Sequence, residues 1–380
     1  MAQKYQRIVV KVGSNVLTRS DGTLDVTRLS ALVDQIAALR RAGIEVILIS
    51  SGAVACGRSV LRNRLTEHSG KLDAVDERQL FSAVGQAKLI NRYYDLFHEH
   101  GITVGQVLTM KECFASRSLY LNQRNCMQVM LEQGVLPIVN ENDTVSVTEL
   151  MFTDNDELSG LIASMMDVQA LIILTNVDGI FTGVPGTPDA RLIPVVQPDD
   201  DLSRYISTVR SGFGRGGMMT KSSIARKVAA EGTEVIIANG KREQVLLQLL
   251  LPGSNPNSDD CPCTRFIPSV GSVSSVKKWI AHSGGFVKGA LQLRAETVQV
   301  LNGPKAVSLL PVGITSVTGD FEKDDLVKLV SPSGDVVGLG RTAYSADEIR
   351  ALLGQHGCKP VVHYDYLYLE EYYDIGTYSK

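Results

Sequence analysis

Up to about residue 252, short runs of near-continuous Val, Ile and Leu alternate with longer stretches whose apolar residues recur every three to four positions. The first pattern belongs to strands buried on both faces, the second to helices with one apolar stripe. Strands are predicted at Ile8–Val10, Val46–Ile49, Ile102–Leu108, Leu136–Val139, Leu171–Leu174 and Val235–Ala238. Helices are predicted at Val26–Arg41, Glu77–His98, Ser116–Gln133, Asp156–Met166, Lys221–Ala230 and Glu243–Leu251. Such alternation predicts an α/β domain over 1–252, an αβα sandwich around a mainly parallel sheet.

The periodicity stops at LPGSNPNSDDCP, residues 251–262, and a linker is predicted over 253–275. Short strands and turns follow: Thr297–Leu301, Val312–Val317, Leu326–Val330, a Ser333-Gly334-Asp335 turn, and Val336–Gly340. They predict a small β-rich domain over 276–358, with a tyrosine-rich tail at 359–380.

Composition narrows the class of protein. A length of 380 residues favours two domains, and 44% hydrophobic with 21% charged residues describes a folded globular chain. The net charge of -3 gives no whole-protein attraction to nucleic acid or anionic membrane, so any phosphate binding must be local. The six cysteines show no CxxC spacing, which points to reduced thiols. The polar start lacks the apolar core of a signal peptide, and no apolar run reaches the roughly 20 residues that cross a bilayer. A cytoplasmic protein is expected.

Ligands of open parallel sheets bind beyond the carboxyl ends of the strands, and four clusters fall there. Lys11-Val12-Gly13-Ser14-Asn15 follows the first strand, with a glycine that lets backbone approach a ligand and a lysine suited to phosphate. A tight turn with a solvated lysine explains the same residues, and no GxxxxGK[ST] loop occurs. Ser50-Ser51-Gly52-Ala53 offers hydroxyls and N–H groups to a carboxylate, or simply caps a helix. Asn140-Glu141-Asn142-Asp143 and Asp154-Asn155-Asp156-Glu157 are too polar to bury unpaired, so they are either solvated or gathered around a polar ligand. Asp154 and Glu157 also have the spacing of a helix capping box. Finally, Gly214-Arg215-Gly216-Gly217-Met218-Met219-Thr220-Lys221 opens a helix, where free backbone and the helix dipole favour a polyphosphate; a solvent loop is the alternative. Hydrolase signatures are missing: GxSxG is absent and the six histidines pair with no obvious nucleophile. Phosphoryl transfer asks only for alignment and charge neutralisation, which lysines and a glycine loop supply.

The motifs VVKVGSNVLT, LISSGAVACGR, AVGQAKLI, PIVNENDTVS, TDNDELS, LTNVDGIFT and GGMMTK together resemble the amino acid kinase family over nearly the whole domain. The pairing of NEND with DNDELS resembles its glutamate-phosphorylating members. SLLPVGITSVTGDF and the surrounding residues are similar to a PUA domain, which implies that the β-rich domain over 276–358 is a small β-barrel. The resemblance implies transfer of phosphate from ATP, with Mg²⁺, to the γ-carboxylate of L-glutamate, the first step of proline biosynthesis. It implies that Lys11 and Lys221 stabilise the moving phosphoryl group and that Asp156 orients them. Ser51, Asp143 and Asn155 would match glutamate-binding positions. Thr175, Asn176 and Arg215, Gly216, Gly217, Met218, Met219, Thr220 and Lys221 would match nucleotide-binding ones, with Lys11 serving both roles and no metal held by side chains alone. Asn176 stands where aspartate is common in the family, and Arg215 where a small residue is. A homo-oligomer, dimer or tetramer, and hand-over of product to a γ-glutamyl phosphate reductase are also implied. The rival acceptors are N-acetylglutamate, aspartate and UMP. RNA binding through the last domain is the rival from another class, opposed by its nearly balanced charges and lack of a basic run.

Overall fold

Every predicted strand of the first domain is a strand of one sheet. The computed structural model describes residues 4–61, 73–145, 154–202, 217–251, 261–269, 275–282, 287–303 and 306–369. Two compact units divide the chain, Met1–Ser272 and Val273–Lys380.

In chain order the first unit begins with β1 (Arg7–Val12), α1 (Ser14–Leu17), α2 (Val26–Arg41), β2 (Glu45–Ser50), α3 (Ala53–Leu61), α4 (Ala74–His98), β3 (Val104–Thr109), α5 (Glu112–Ala115) and α6 (Arg117–Glu132). It continues with β4 (Leu136–Glu141), α7 (Asn155–Met166), β5 (Ala170–Thr175), β6 (Val195–Val196), α8 (Met218–Ala230), β7 (Glu234–Asn239), α9 (Val245–Leu250) and β8 (Cys263–Phe266). The sheet order is β3-β4-β2-β1-β5-β7-β8-β6, parallel except where β8 runs antiparallel to β7. Strands β2, β4 and β3 lie on one side of β1, and β5 and β7 on the other. The order therefore reverses at β1, which is where such sheets open a crevice.

β1, β2, β4 and β5 are almost wholly buried, as continuous Val, Ile and Leu runs require. Their core includes Ile8, Val10, Leu48, Ile138, Ile172 and Leu174, with Leu29, Leu32 and Ile36 of α2 packed over one face.

Helices α3 and α4 touch backbone to backbone. A Cβ placed on Gly85 would lie 1.8 Å from the Ala53 carbonyl oxygen, and one on Gly57 would lie 1.8 Å from that of Phe81. Gly85→Ala is expected to cost about 3 kcal/mol or more through this collision. A lowered urea midpoint checks that value, and an unchanged midpoint would show that the helices part without strain.

The expected linker is corrected here, because Cys263–Phe266 within it forms β8. Thr264 and Arg265 make this stretch look like a loop, yet both are buried and satisfied by distant partners. Thr264 Oγ1 donates to the Ile193 carbonyl at 2.7 Å, and Arg265 Nη1 pairs with Glu234 at 2.6 Å.

The second unit contains α10 (Ser275–His282), β9 (Gly289–Leu293), α11 (Ala295–Leu301), β10 (Ile314–Gly319), β11 (Leu326–Val330), β12 (Val336–Thr342), α12 (Ala346–Leu352) and β13 (Val362–Leu369). Its sheet runs β10-β9-β11-β12-β13 around Leu291, Leu293, Ile314, Val327, Leu329, Ile349 and Val362. Two expectations change. Thr297–Leu301 is helical rather than extended: Leu301 is 5% exposed while Val300 is 54% exposed, a helical face that the Thr-Val-Gln-Val alternation disguised. Val362–Leu369, placed in the tail by sequence, pairs with β12 as the last strand; residues 370–380 of that tail lie outside the described residues.

Candidate active site

Lys11 is the fifth residue of β1 and sits opposite Ile49 of β2 and Ile173 of β5, so its side chain leaves the sheet at the crevice. Asp156 stands in the first turn of α7, and Lys221 one turn into α8. The three meet: Lys11 Nζ lies 2.5 Å from Asp156 Oδ1, and Lys221 Nζ lies 2.8 Å from Oδ2. All are buried, with Asp156 only 1% exposed. Burial on its own would raise the Asp156 carboxyl, but the two ammonium groups outweigh it and hold the group down at about 2. Two buried cations thus share one carboxylate, close to the N-terminus of α8.

Beside this triad lies a cavity of about 500 Å³, lined in part by Ser51, Gly52, Arg78, Asn140, Asp143 and Asn155. Gly52, at φ +108°, turns the chain sharply after β2, a conformation that side-chain-bearing residues avoid. Asn155 Nδ2 donates to Ser51 Oγ at 2.9 Å and to Asn140 Oδ1 at 3.0 Å. Asn140 Nδ2 in turn donates to Gln86 Oε1 at 2.8 Å. Part of the cavity wall is therefore a connected amide network, and Glu141 and Asp143 stand in the same wall.

Asp154 caps α7, its Oδ1 accepting from the N–H groups of Asp156 and Glu157 at 2.9 and 3.1 Å. Its Oδ2 is buried with no hydrogen-bond partner among the described residues. Burial first, and then repulsion from Asp156, raises its carboxyl to about 6. A carboxyl raised above its ordinary 3.8 adds stability below that pH and loses it as pH climbs through about 6. Asp154→Asn keeps the cap and removes the buried charge. The variant is expected to melt higher than the parent at pH 8 and no higher at pH 4, as thermal denaturation at both values would record.

The model of the amino acid kinase family matches residues 6–239, and that of the PUA domain matches 289–364. A glutamate 5-kinase of Bacteroides thetaiotaomicron is 62% identical over 97% of this chain and 100% of its own length. One from Chlorobaculum tepidum is 47% identical over 96% of this chain and 98% of its own. The chain belongs to the glutamate 5-kinase branch of the amino acid kinase family. Its fold is also that of carbamate kinase from Giardia lamblia bound to AMP-PNP, at TM-score 0.52 and 16% identity, covering 70% of this chain and 99% of that one.

For a member of this family, the sequence-derived residues fall into two groups. Lys11, Lys221 and Asp156 form the buried triad, while Ser51, Asp143 and Asn155 line the cavity. Thr175 ends β5 and Asn176 follows it, and Gly240 donates its N–H to the Thr175 carbonyl at 2.8 Å. Gly217 caps α8, and Met218, Met219 and Thr220 form its first turn, with Met219 51% exposed. Arg215 and Gly216 lie outside the described residues. Three cavity-side residues escaped the sequence reading: Arg78, Ser82 and Gln86, all on α4. Their spacing of four places them on one face of that helix, and this polar row was the available signal.

Proposed function

We propose that the chain transfers the γ-phosphoryl group of MgATP to the γ-carboxylate of L-glutamate, giving γ-glutamyl phosphate and ADP, the opening step of proline biosynthesis. The observation that carries this reading is one buried carboxylate, Asp156, gripping two lysines from different elements beside a cavity of about 500 Å³ whose wall includes Ser51, Asn140, Asp143 and Asn155. At neutral pH the acceptor carboxylate is already ionised, so the reaction needs no general base. Its oxygen forms the new bond to phosphorus as the bond from phosphorus to the ADP oxygen breaks, in line.

The obstacle is the approach of two anions. Lys11 and Lys221 offset that repulsion at the moving group, and Asp156 keeps both ammonium groups aimed there before the substrates arrive. MgATP enters as a substrate, and its metal supplies further neutralisation among the phosphates. The N–H groups at the start of α8 suit the same phosphates. Ser51 and Asn155 offer polar contacts to the amino acid, and Asp143 an acid for its ammonium. The acyl phosphate is prone to hydrolysis, which favours hand-over to a reductase.

The test is ADP release by purified protein with MgATP and, separately, L-glutamate, N-acetyl-L-glutamate, L-aspartate and UMP, with hydroxylamine present to trap an acyl phosphate. Glutamate-dependent release with a hydroxamate product supports the reading. Turnover of another acceptor alone overturns the substrate, and silence with all four overturns the activity.

A further inference from the structure

Arg78 lines the cavity from α4 with its side chain only 17% exposed. Its guanidinium reaches across to the loop that follows β4. Nε donates to Asp143 Oδ1 at 2.7 Å and Nη2 to Glu141 Oε2 at 2.8 Å. From the next turn of the same helix, Ser82 Oγ donates to Asp143 Oδ2 at 3.1 Å. Both oxygens of Asp143 are thus held from α4. The Glu141 and Asp143 side chains are themselves 4% and 7% exposed, so two acids almost out of water share one guanidinium.

Removing that cation would strengthen the repulsion between two acids that are costly to bury. The other arginine at this wall, Arg58, is engaged elsewhere, 3.5 Å from Glu77 and over the Phe81 ring. A guanidinium suits the task because its planar fork serves two carboxylates in fixed directions, which a lysine ammonium does not.

We propose that Arg78 is a positioning residue for the amino-acid substrate. It fixes Asp143 in the orientation that receives the α-ammonium of glutamate, and it neutralises the second acid so that the cavity admits a ligand carrying two carboxylates. This rests on the glutamate reading given above. Arg78 does not touch the triad in the structure, so its loss acts on substrate affinity and leaves the chemical step intact.

The experiment is steady-state kinetics of Arg78→Gln and Arg78→Lys beside the wild-type protein, with glutamate and ATP varied in turn and glutamate binding followed by calorimetry. Arg78→Gln is expected to raise KM for glutamate about 10- to 100-fold, the worth of a lost charge-assisted hydrogen bond. Its kcat and its KM for ATP are expected to stay within about 3-fold. Arg78→Lys keeps the charge without the fork, so its KM for glutamate should lie between those of wild type and Arg78→Gln. An unchanged KM for glutamate, or a fall in kcat with KM unmoved, overturns the assignment. Should Arg78→Gln fail to show a cooperative melt, Arg78→Lys decides alone: a raised KM supports the proposal and a wild-type KM overturns it. Wild-type protein that turns over a different acceptor overturns the glutamate reading together with this proposal. Wild-type glutamate turnover alongside an unaffected Arg78→Gln overturns the proposal only.

Discussion

Replacing Asp156 with asparagine is expected to lower kcat by about 10²- to 10³-fold and to destabilise the fold by about 3–5 kcal/mol, because breaking one member of a buried ion cluster strands its partners. Lys11 and Lys221, 4% and 9% exposed, would face a neutral amide where their shared carboxylate stood. The triad also has a pH signature. A carboxyl held at about 2 in the folded protein, against an ordinary 3.8, adds stability that is fully present above about pH 4 and lost as pH falls through about 2. Urea denaturation of parent and Asp156→Asn at pH 7, with ADP release measured on the same samples, checks both effects. Wild-type stability in the variant would mean that the lysines find other counter-charges.

Lys221→Ala is the second large effect. Its ammonium enters the triad from α8, whereas the cavity residues include those of the turn after β2, of α3 and α4, of the end of β4 and the loop beyond it, and of α7. Turnover is therefore expected to fall at least about 10²-fold, the usual consequence of removing one preorganised charge from a phosphoryl-transfer site. Glutamate affinity, measured by calorimetry, is expected to stay within about 3-fold. A near-wild-type kcat would remove Lys221 from the reaction. A matching loss of glutamate affinity would show instead that the triad shapes the substrate cavity.

The pattern of apolar positions located all six strands predicted for the first domain; β1, β2, β4, β5 and β7 are almost wholly buried and so continuously apolar, while β3 at the sheet edge is partly exposed. The pattern failed where burial rests on polar residues. Cys263–Phe266 reads as linker, yet Thr264 and Arg265 are buried through bonds to Ile193 and Glu234. It also failed where two periods compete over few residues: Ala295–Leu301 spans barely two turns, too short for a 3.6-residue repeat to outweigh an apparent alternation. Ser345 and Glu348 form a capping box that opens α12, a signal present in the sequence but overlooked.

The candidate site was legible to a similar depth. The four polar or glycine-rich clusters were legible as segments suited to a ligand, and the resemblance to the amino acid kinase family then singled out Lys11, Ser51, Asp143, Asn155, Asp156 and Lys221 within them. Arg78 and Gln86 did not stand out, since on a long surface helix such residues usually meet solvent. By itself the sequence determined the order of strands and helices, the residue types at each strand end and hence the class of chemistry, since these depend on local periodicity and composition. Only the tertiary structure decided how closely Asp156 approaches both lysines and which arginine serves two acids. Those pairings join segments far apart in the chain, and strand order and helix packing bring them within hydrogen-bonding distance.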